Sequence, residues 1–233
     1  MLVDLLGTIE VDTFDPSSKI VVITGLAALA AVGIDVVWRQ ARNVVTIVHE
    51  GGHAVAALLT GRRLTGIRLH SDTSGLTLSV GKREGPGMIV TAAAGYLAPA
   101  LVGLAGVILL AYGQITVMLW TAVVILGLML VMVRNFYGAL SLVLLGGVVL
   151  GVSLRANSDI QSAFGYGMTW FLLLGSVRPV MEMQRQRRRR PGSNSDADQL
   201  GRLTHLPAAM WVGFFFAFTC ATAAGGTWLL LVA

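Results

Sequence analysis

The stretch "VVTIVHEGGHAVAALLT", residues 44–60, decides how the rest of the chain is interpreted. It is apolar enough to lie in a membrane, yet it carries two imidazoles and a carboxylate, those of His49, Glu50 and His53. Ionisable side chains are costly in hydrocarbon, and those found there are functional candidates by default. The sequence therefore predicts a polar site within a membrane helix, which we assign to residues 43–60.

The composition of the whole chain agrees with a membrane environment. The 233 residues are 55% hydrophobic and 12% charged, and the mean hydropathy is +0.75. This charged share is about half of that in soluble domains. Apolar stretches recur from end to end, so we predict an all-α polytopic membrane protein with about seven transmembrane helices, six to eight being possible. The predicted helices lie near residues 20–38, 43–60, 87–111, 115–133, 138–154, 163–181 and 206–232.

The distribution of positive charge predicts the orientation. The net charge is +5, but the basic residues lie in loops between apolar segments, which argues against a nucleic-acid partner and for a lipid bilayer. With the N-terminus in the cytoplasm, only Arg39, Arg42 and Arg155 fall on the opposite side. Because Lys and Arg are enriched in cytoplasmic loops, we predict a multi-pass plasma-membrane protein with a cytoplasmic N-terminus.

The chain divides into four predicted regions. An acidic arm at 1–19 precedes a membrane domain at 20–182. A basic and polar cytoplasmic loop at 183–205 follows, and a C-terminal membrane helix covers 206–233. Within the loop, Arg187–Arg190 are interpreted as an anchor that fixes the topology and meets anionic headgroups.

A β-hairpin is predicted directly after the polar helix. Residues 64–80, "LTGIRLHSDTSGLTLSV", alternate between apolar and polar positions on both sides of the turn-rich "HSDTSG". This pattern is typical of two short strands joined by a turn. His70 and Asp72 are interpreted as solvent-exposed turn residues, and Gly75 as a candidate substrate-binding residue.

The chemistry that the polar helix predicts follows from its spacing. His49-Glu50-Gly51-Gly52-His53 matches H-E-x-x-H, and residues four apart share a helix face, so both imidazoles can hold one Zn²⁺. Glu50 lies beside the metal, where it can take a proton from zinc-bound water as general base. Cys220 is the only cysteine, which excludes a cysteine-based zinc site.

Four segments of the chain resemble a known family. "HEGGHAVAALLTGRRLTGIRL", followed by "SGLTLS", "AAGYLAPAL" and "NSDADQLGRLTHLPAAMWVGFF", is similar to the site-2 protease family of intramembrane zinc metalloproteases, in its compact bacterial branch. The resemblance implies peptide-bond hydrolysis inside the membrane, with His49 and His53 as ligands and Glu50 as base. It also implies that the hairpin pairs with an unwound membrane-spanning substrate by strand addition.

The resemblance also implies a third ligand. A catalytic zinc site has three protein ligands and one open position, and the family takes the third from an aspartate in an Asn-Pro-Asp-Gly type motif. The nearest match is Asn194-Ser195-Asp196-Ala197, which lacks the Pro and the Gly, so Asp196 is the candidate. Alternatives are a capping role for Ser195 or Asp196, a ligand role for Asp198 or Asp159, or no carboxylate ligand at all. Ligand atoms of a tetrahedral site should lie about 3–4 Å apart.

Two functions remain open on the sequence alone. The first is an intramembrane zinc metalloprotease, in which Asn135 is a candidate substrate-binding residue that donates to the oxyanion. The second is a non-proteolytic membrane protein that keeps the zinc site for structure or regulation. A zinc or ion carrier is less compatible with the sequence, because the polar residues cluster on one helix.

Overall fold

The structure is a computed structural model that describes residues 18–189 and 194–232. Most of the predicted acidic arm and Arg190 of the basic run lie outside the described residues. Within them, the chain forms nine helices and one hairpin, so the prediction of a helical fold with a short β-hairpin is confirmed. The elements are α1 (Ser18–Gly33), α2 (Asp35–Leu59), β1 (Arg63–Leu69), β2 (Gly75–Val80), α3 (Pro86–Ala111), α4 (Ile115–Met132), α5 (Phe136–Arg155), α6 (Ser158–Gly175), α7 (Val177–Arg189), α8 (Asp196–Thr204) and α9 (Ala208–Val232).

Several of these helices indicate a multi-pass membrane protein. Among the described residues, four helices are long and apolar enough to cross a bilayer, namely α3, α4, α5 and α9. The helices α1 and α2 satisfy the same criterion only as a pair, which is bent by 102°. The described residues therefore offer four spans, or five if the bent pair is counted, and the predicted seven is not confirmed.

Charged residues near the start of α2 have partners elsewhere in the chain. The loop predicted between residues 38 and 43 is wrong, because α2 begins at Asp35 and continues through it. Asp35 pairs with Arg178 of α7. Trp38 donates from Nε1 to Glu182 at 2.7 Å, and Arg42 lies 3.4 Å from the other oxygen of Glu182. These partners offset the cost of charges inside the helix, which the local sequence does not reveal.

The region after α6 is more helical than the sequence indicates. The single helix predicted at 163–181 is two helices joined at Ser176, and the predicted loop contains α8. The helices α7, α8 and α9 share one apolar cluster. Its members from α7 and α8 are all less than 5% exposed: Val180, Met183, Ala197 and Leu200. Burial of this kind compensates for the weak helical propensity of a polar segment.

The hairpin predicted at 64–80 is confirmed in place and type. Its strands pair antiparallel with Ile67 opposite Thr77 and Leu69 opposite Gly75. Ile67 and Leu69 are fully buried, which anchors β1 in a cluster with residues of α2, α4 and α5. The β2 strand alternates between half-buried and exposed positions, so its outer side is accessible.

Glycines let α2 and α3 approach closely. A Cβ added to Gly52 of α2 would lie 2.8 Å from the carbonyl oxygen of Ala94, closer than real Cβ atoms come to backbone oxygens. Small residues at such crossings let helix backbones meet in membrane proteins. The same crossing sets Gly95 of α3 directly against the two imidazoles of α2.

Candidate metal centre

The α2 helix presents two imidazoles and a carboxylate from within one turn. His49 and His53 lie four residues apart on the same face, and their Nε2 atoms are 3.0 Å apart. Glu50 is 3% exposed and His53 is 9% exposed. Both Nε2 atoms therefore lie close enough to bind one shared cation.

Asp196 brings a third ligand atom to the pair. It is the first residue of α8, and its Oδ2 lies 3.3 Å from Nε2 of both His49 and His53. Ligand atoms of the three residues lie within 4.8 Å of one another. Neither Asp198 nor Asp159 belongs to this group of described residues: Asp198 completes the cap of α8, and Asp159 is exposed in the first turn of α6.

The three residues fit a zinc ion. Tetrahedral coordination with bonds of about 2 Å separates ligand atoms by about 3.3 Å, and the observed separations are 3.0 and 3.3 Å. Two imidazoles and one carboxylate are also a ligand set that catalytic zinc sites use. A Cβ at Gly95 would lie 2.6 Å from Nε2 of His49, so only glycine leaves room for the imidazole pair against α3.

A backbone carbonyl orients His53. Its Nδ1 lies 2.7 Å from the carbonyl oxygen of Thr91 on α3. Because a carbonyl only accepts, Nδ1 must carry the hydrogen, and the lone pair of Nε2 then faces Asp196 and His49. Metal-binding histidines commonly donate their other ring nitrogen to such a partner, which fixes the tautomer.

The hairpin covers and orients Glu50. The Thr77 hydroxyl donates to Oε2 of Glu50 at 2.6 Å. Gly75 lies so close that an added Cβ would meet the Cδ atom of Glu50 at 2.6 Å. Thr46 also donates to the carbonyl oxygen of Thr73 at 2.8 Å, which joins the turn to α2. The carboxylate therefore lies between its own helix and β2.

The centre opens into a polar cavity of about 410 Å³. Its walls come from α2, the hairpin, α3, α7 and the start of α8. Tyr96 forms part of the wall and meets His49 edge to face, with ring centroids 4.7 Å apart. The polar side chains on this wall include Arg42, Thr46, Gln186, Asn194, Ser195 and Gln199. Such a lining can hold water beside the three ligands.

The structure does not bring every candidate residue to this cavity. Asn135 is not among its lining residues; its side chain accepts from the Leu69 amide at 3.1 Å and donates to the Leu69 carbonyl oxygen at 2.6 Å. His70 and Asp72 lie in the exposed turn, where hydrogen bonds from Ser74 hold the pKa of Asp72 below its usual value. Gly75 lines the cavity beside Glu50.

A comparison with protein families identifies the family of the chain. The family model described as Peptidase M50B-like matches residues 22–226, which include both strands and all ligand candidates. The chain belongs to the Peptidase M50B-like family. No curated protein and no solved structure matches it. Membership implies a metallopeptidase of the membrane, and the His49, His53 and Asp196 cluster is a possible metal site in this M50B-like chain.

Sequence reasoning missed three supporting residues of the M50B-like centre. Thr77 and Thr91 contact Glu50 and His53 from other elements, and threonines in a strand or an apolar helix carry no distinguishing signal. The sequence places Arg187 in a run of four arginines. Its partner, Asp198, lies 11 residues away, and a uniform arginine run does not indicate which member turns inward.

Proposed function

We propose that this M50B-like chain is an intramembrane zinc metalloprotease that hydrolyses peptide bonds of membrane-spanning proteins. One observation supports the proposal. Two imidazole nitrogens from α2 and a carboxylate oxygen from α8 lie 3.0–3.3 Å apart, next to the buried carboxylate of Glu50. Family membership supports the same class of reaction.

His49, His53 and Asp196 would hold the zinc ion. The chemistry that zinc supplies when bound is polarisation of the scissile carbonyl and a lowered pKa for the attacking water. The Thr91 carbonyl keeps His53 in the tautomer that binds metal through Nε2. The glycine at position 95 leaves the imidazole pair its space.

Glu50 would move the proton. As general base it takes a proton from the attacking water, and it then passes that proton to the amine nitrogen of the leaving peptide. The hydrogen bond from Thr77 holds one oxygen of Glu50 in a fixed direction, which leaves Oε1 as the oxygen free to handle the proton. A pre-oriented base avoids the cost of reorganisation during the reaction.

The hairpin would hold the substrate. The β2 strand pairs with β1 on one side, and Leu76, Leu78 and Val80 are exposed on it. An extended peptide can add to such an edge through main-chain hydrogen bonds. Gly75, at the start of β2, lets that edge approach Glu50 closely.

The basic residues support a cytoplasmic N-terminus and a plasma-membrane location. The segment between α2 and α3 and the segment at the end of α7 carry most of the positive charge, as cytoplasmic segments do. In this arrangement the polar cavity would receive water from the cytoplasmic side. The four predicted regions of the chain are kept as part of the proposal. The segment at 183–205 then includes the end of α7 and all of α8.

The test combines metal analysis with cleavage. The purified protein should contain about one zinc per chain and cleave a labelled transmembrane peptide, and a chelator should abolish cleavage until zinc is restored. The Glu50→Gln variant should keep its zinc and lose about 10²–10⁴-fold in turnover, because it cannot accept the proton. Retained cleavage by zinc-loaded Glu50→Gln would disprove the mechanism. Zinc binding without any cleavage would favour the non-proteolytic alternative.

A further inference from the structure

The basic run at the end of α7 is not uniform. Arg188 and Arg189 are exposed, as expected of residues that meet solvent or lipid headgroups, whereas Arg187 is half-buried. Its side chain is 19% exposed and turns towards the start of α8. Arg187 therefore contacts the element that carries Asp196.

Arg187 makes two polar contacts that fix its direction. Its Nε donates to Oδ1 of Asp198 at 2.9 Å, and its Nη1 donates to Oε1 of Gln184 at 3.0 Å. The Asp198 side chain is itself 18% exposed. A charged hydrogen bond shielded to this degree is stronger than an exposed surface pair.

The other oxygen of Asp198 completes the cap of α8. Ser195 donates to Oδ2 of Asp198 from its hydroxyl at 2.6 Å and from its amide at 3.2 Å. In return, the amide of Asp198 donates to the Ser195 hydroxyl at 3.3 Å. Such a reciprocal cap fixes the first turn of a helix. Asp196, the candidate ligand, is the first residue within that turn.

Apolar packing alone would leave this turn less well directed. Ala197 and Leu200 of α8 share one apolar cluster with Val180 and Met183 of α7, which holds the helices near each other but allows small rotations and shifts. The Arg187 contact adds a specific direction, because its Nε donates to Asp198 while its Nη1 is held by Gln184. Rotation of α8 would move Asp196 away from both imidazoles.

We propose that Arg187 is a positioning residue for the metal site. Through Asp198 and the Ser195 cap, it holds the first turn of α8 so that the Asp196 carboxylate stays within 3.3 Å of both imidazole nitrogens. This inference rests on the proposed metal function. It separates Arg187 from Arg188 and Arg189, which keep the role of a topology anchor.

The test compares Arg187→Ala with Arg188→Ala, a matched control that removes an exposed arginine of the same run. Zinc affinity is measured by competition with a chelator, and thermal unfolding is followed in the metal-free protein. Arg187→Ala should weaken zinc binding about 10–100-fold, as loss of partners around metal ligands does. Arg188→Ala should bind zinc as the unaltered protein does, and Arg187→Lys should recover part of the loss.

A double variant tests whether Arg187 acts through Asp198. Asp198→Asn weakens the charged contact while leaving an oxygen for the cap, so it should weaken zinc binding in the same direction. The double variant Arg187→Ala with Asp198→Asn should be no weaker than Arg187→Ala alone, because both remove one contact. Asp198→Asn also provides the test if Arg187→Ala cannot be purified.

The outcomes separate the two proposals. If the unaltered protein binds no zinc, the proposed function fails. If it binds zinc, and neither Arg187→Ala nor Asp198→Asn binds it more weakly than Arg188→Ala does, the positioning role of Arg187 is overturned. If Arg187→Ala lowers the unfolding temperature of the metal-free protein but leaves zinc affinity unchanged, Arg187 has only a structural role and the inference is likewise overturned.

Discussion

The hairpin and the α7–α8 segment contact the same polar turn of α2, but they act on different groups. The hairpin contacts Glu50 through a neutral hydroxyl, that of Thr77, and through the close approach of Gly75. The α7–α8 segment delivers Asp196 and stabilises its position with a charged contact and a cap. In the proposed function, proton handling and metal holding are therefore supported by separate parts of the molecule, so each should be open to disruption without the other.

The largest effect is expected where the two imidazoles themselves would be displaced. Gly95→Ala would place a Cβ 2.6 Å from Nε2 of His49 and 2.5 Å from Cε1 of His53. The rings would have to move, and no change in the hairpin or in α8 could compensate. Zinc binding to a four-ligand protein site contributes about 10–16 kcal/mol, so weakening the imidazole ligands should lower zinc affinity by about a hundredfold or more, with loss of cleavage.

The control for this prediction is Gly147→Ala on α5, where no described atom lies within 4 Å of the new Cβ. It makes the same substitution in a helix of the same protein and should leave zinc binding and cleavage unchanged. Equal zinc affinity in the two variants, measured by chelator competition, would show that the imidazole pair does not depend on the α2–α3 approach.

The sequence predicts what lies close together along the chain. The spacing of His49 and His53 on one helix indicates two candidate ligands, and the position of Glu50 indicates a candidate base. Alternation of apolar residues locates both strands of the hairpin. Each of these signals lies within about 20 residues, and each depends on local geometry that neighbouring elements do not alter.

The features that the sequence left open depend on partners distant in the chain. Asp196 meets residues nearly 150 positions earlier, and its motif lacks the expected Pro and Gly. Asp35 and Arg178, which belong to the bend before α2, are 143 residues apart. Charges inside a helix favour a loop on local grounds, and only tertiary pairing makes the helix acceptable. The predicted count of seven spans is not confirmed, since the described residues offer four or five.

A smaller effect should appear in turnover alone when the hairpin contact to Glu50 is removed. Thr77→Val keeps the shape of the side chain but loses the hydroxyl that donates to Oε2 at 2.6 Å. A hydrogen bond to a charged group contributes about 1.5–3 kcal/mol, so kcat should fall about tenfold or more. Zinc affinity should remain unchanged, because Thr77 contacts none of the three candidate ligands in the described structure.

Thr65→Val on the paired strand is the matched control, since its hydroxyl donates to the exposed carbonyl of Leu78 at 3.0 Å. It should leave both zinc binding and kcat close to those of the unaltered protein. Measuring both quantities in both variants sharpens the comparison between the regions. A weaker zinc site in Thr77→Val would mean that the hairpin also supports metal binding, and the proposed separation would fail.

The smallest effect on turnover is expected from Asn135→Ala, which tests whether the contacts of Asn135 with Leu69 keep β1 in position. Asn135 bonds both backbone groups of Leu69, so Asn135→Ala leaves the buried amide and carbonyl of Leu69 without this partner. This should lower the free energy of unfolding by about 1–3 kcal/mol. Cleavage should fall only a few-fold, because Glu50 keeps its bond to Thr77, and zinc affinity should not change.

The alternative role for Asn135, an oxyanion donor, gives the opposite pattern. Loss of such a donor lowers kcat about 10²–10³-fold with little effect on folding. Asn157→Ala is the control: Asn157 caps α6 by accepting from Ile160 at 3.0 Å, and loss of a cap costs about 1 kcal/mol far from the hairpin. If turnover falls only in Asn135→Ala, and by no more than a few-fold, Asn135 acts through the position of β1. A hundredfold loss at unchanged stability would instead assign it to the reacting carbonyl.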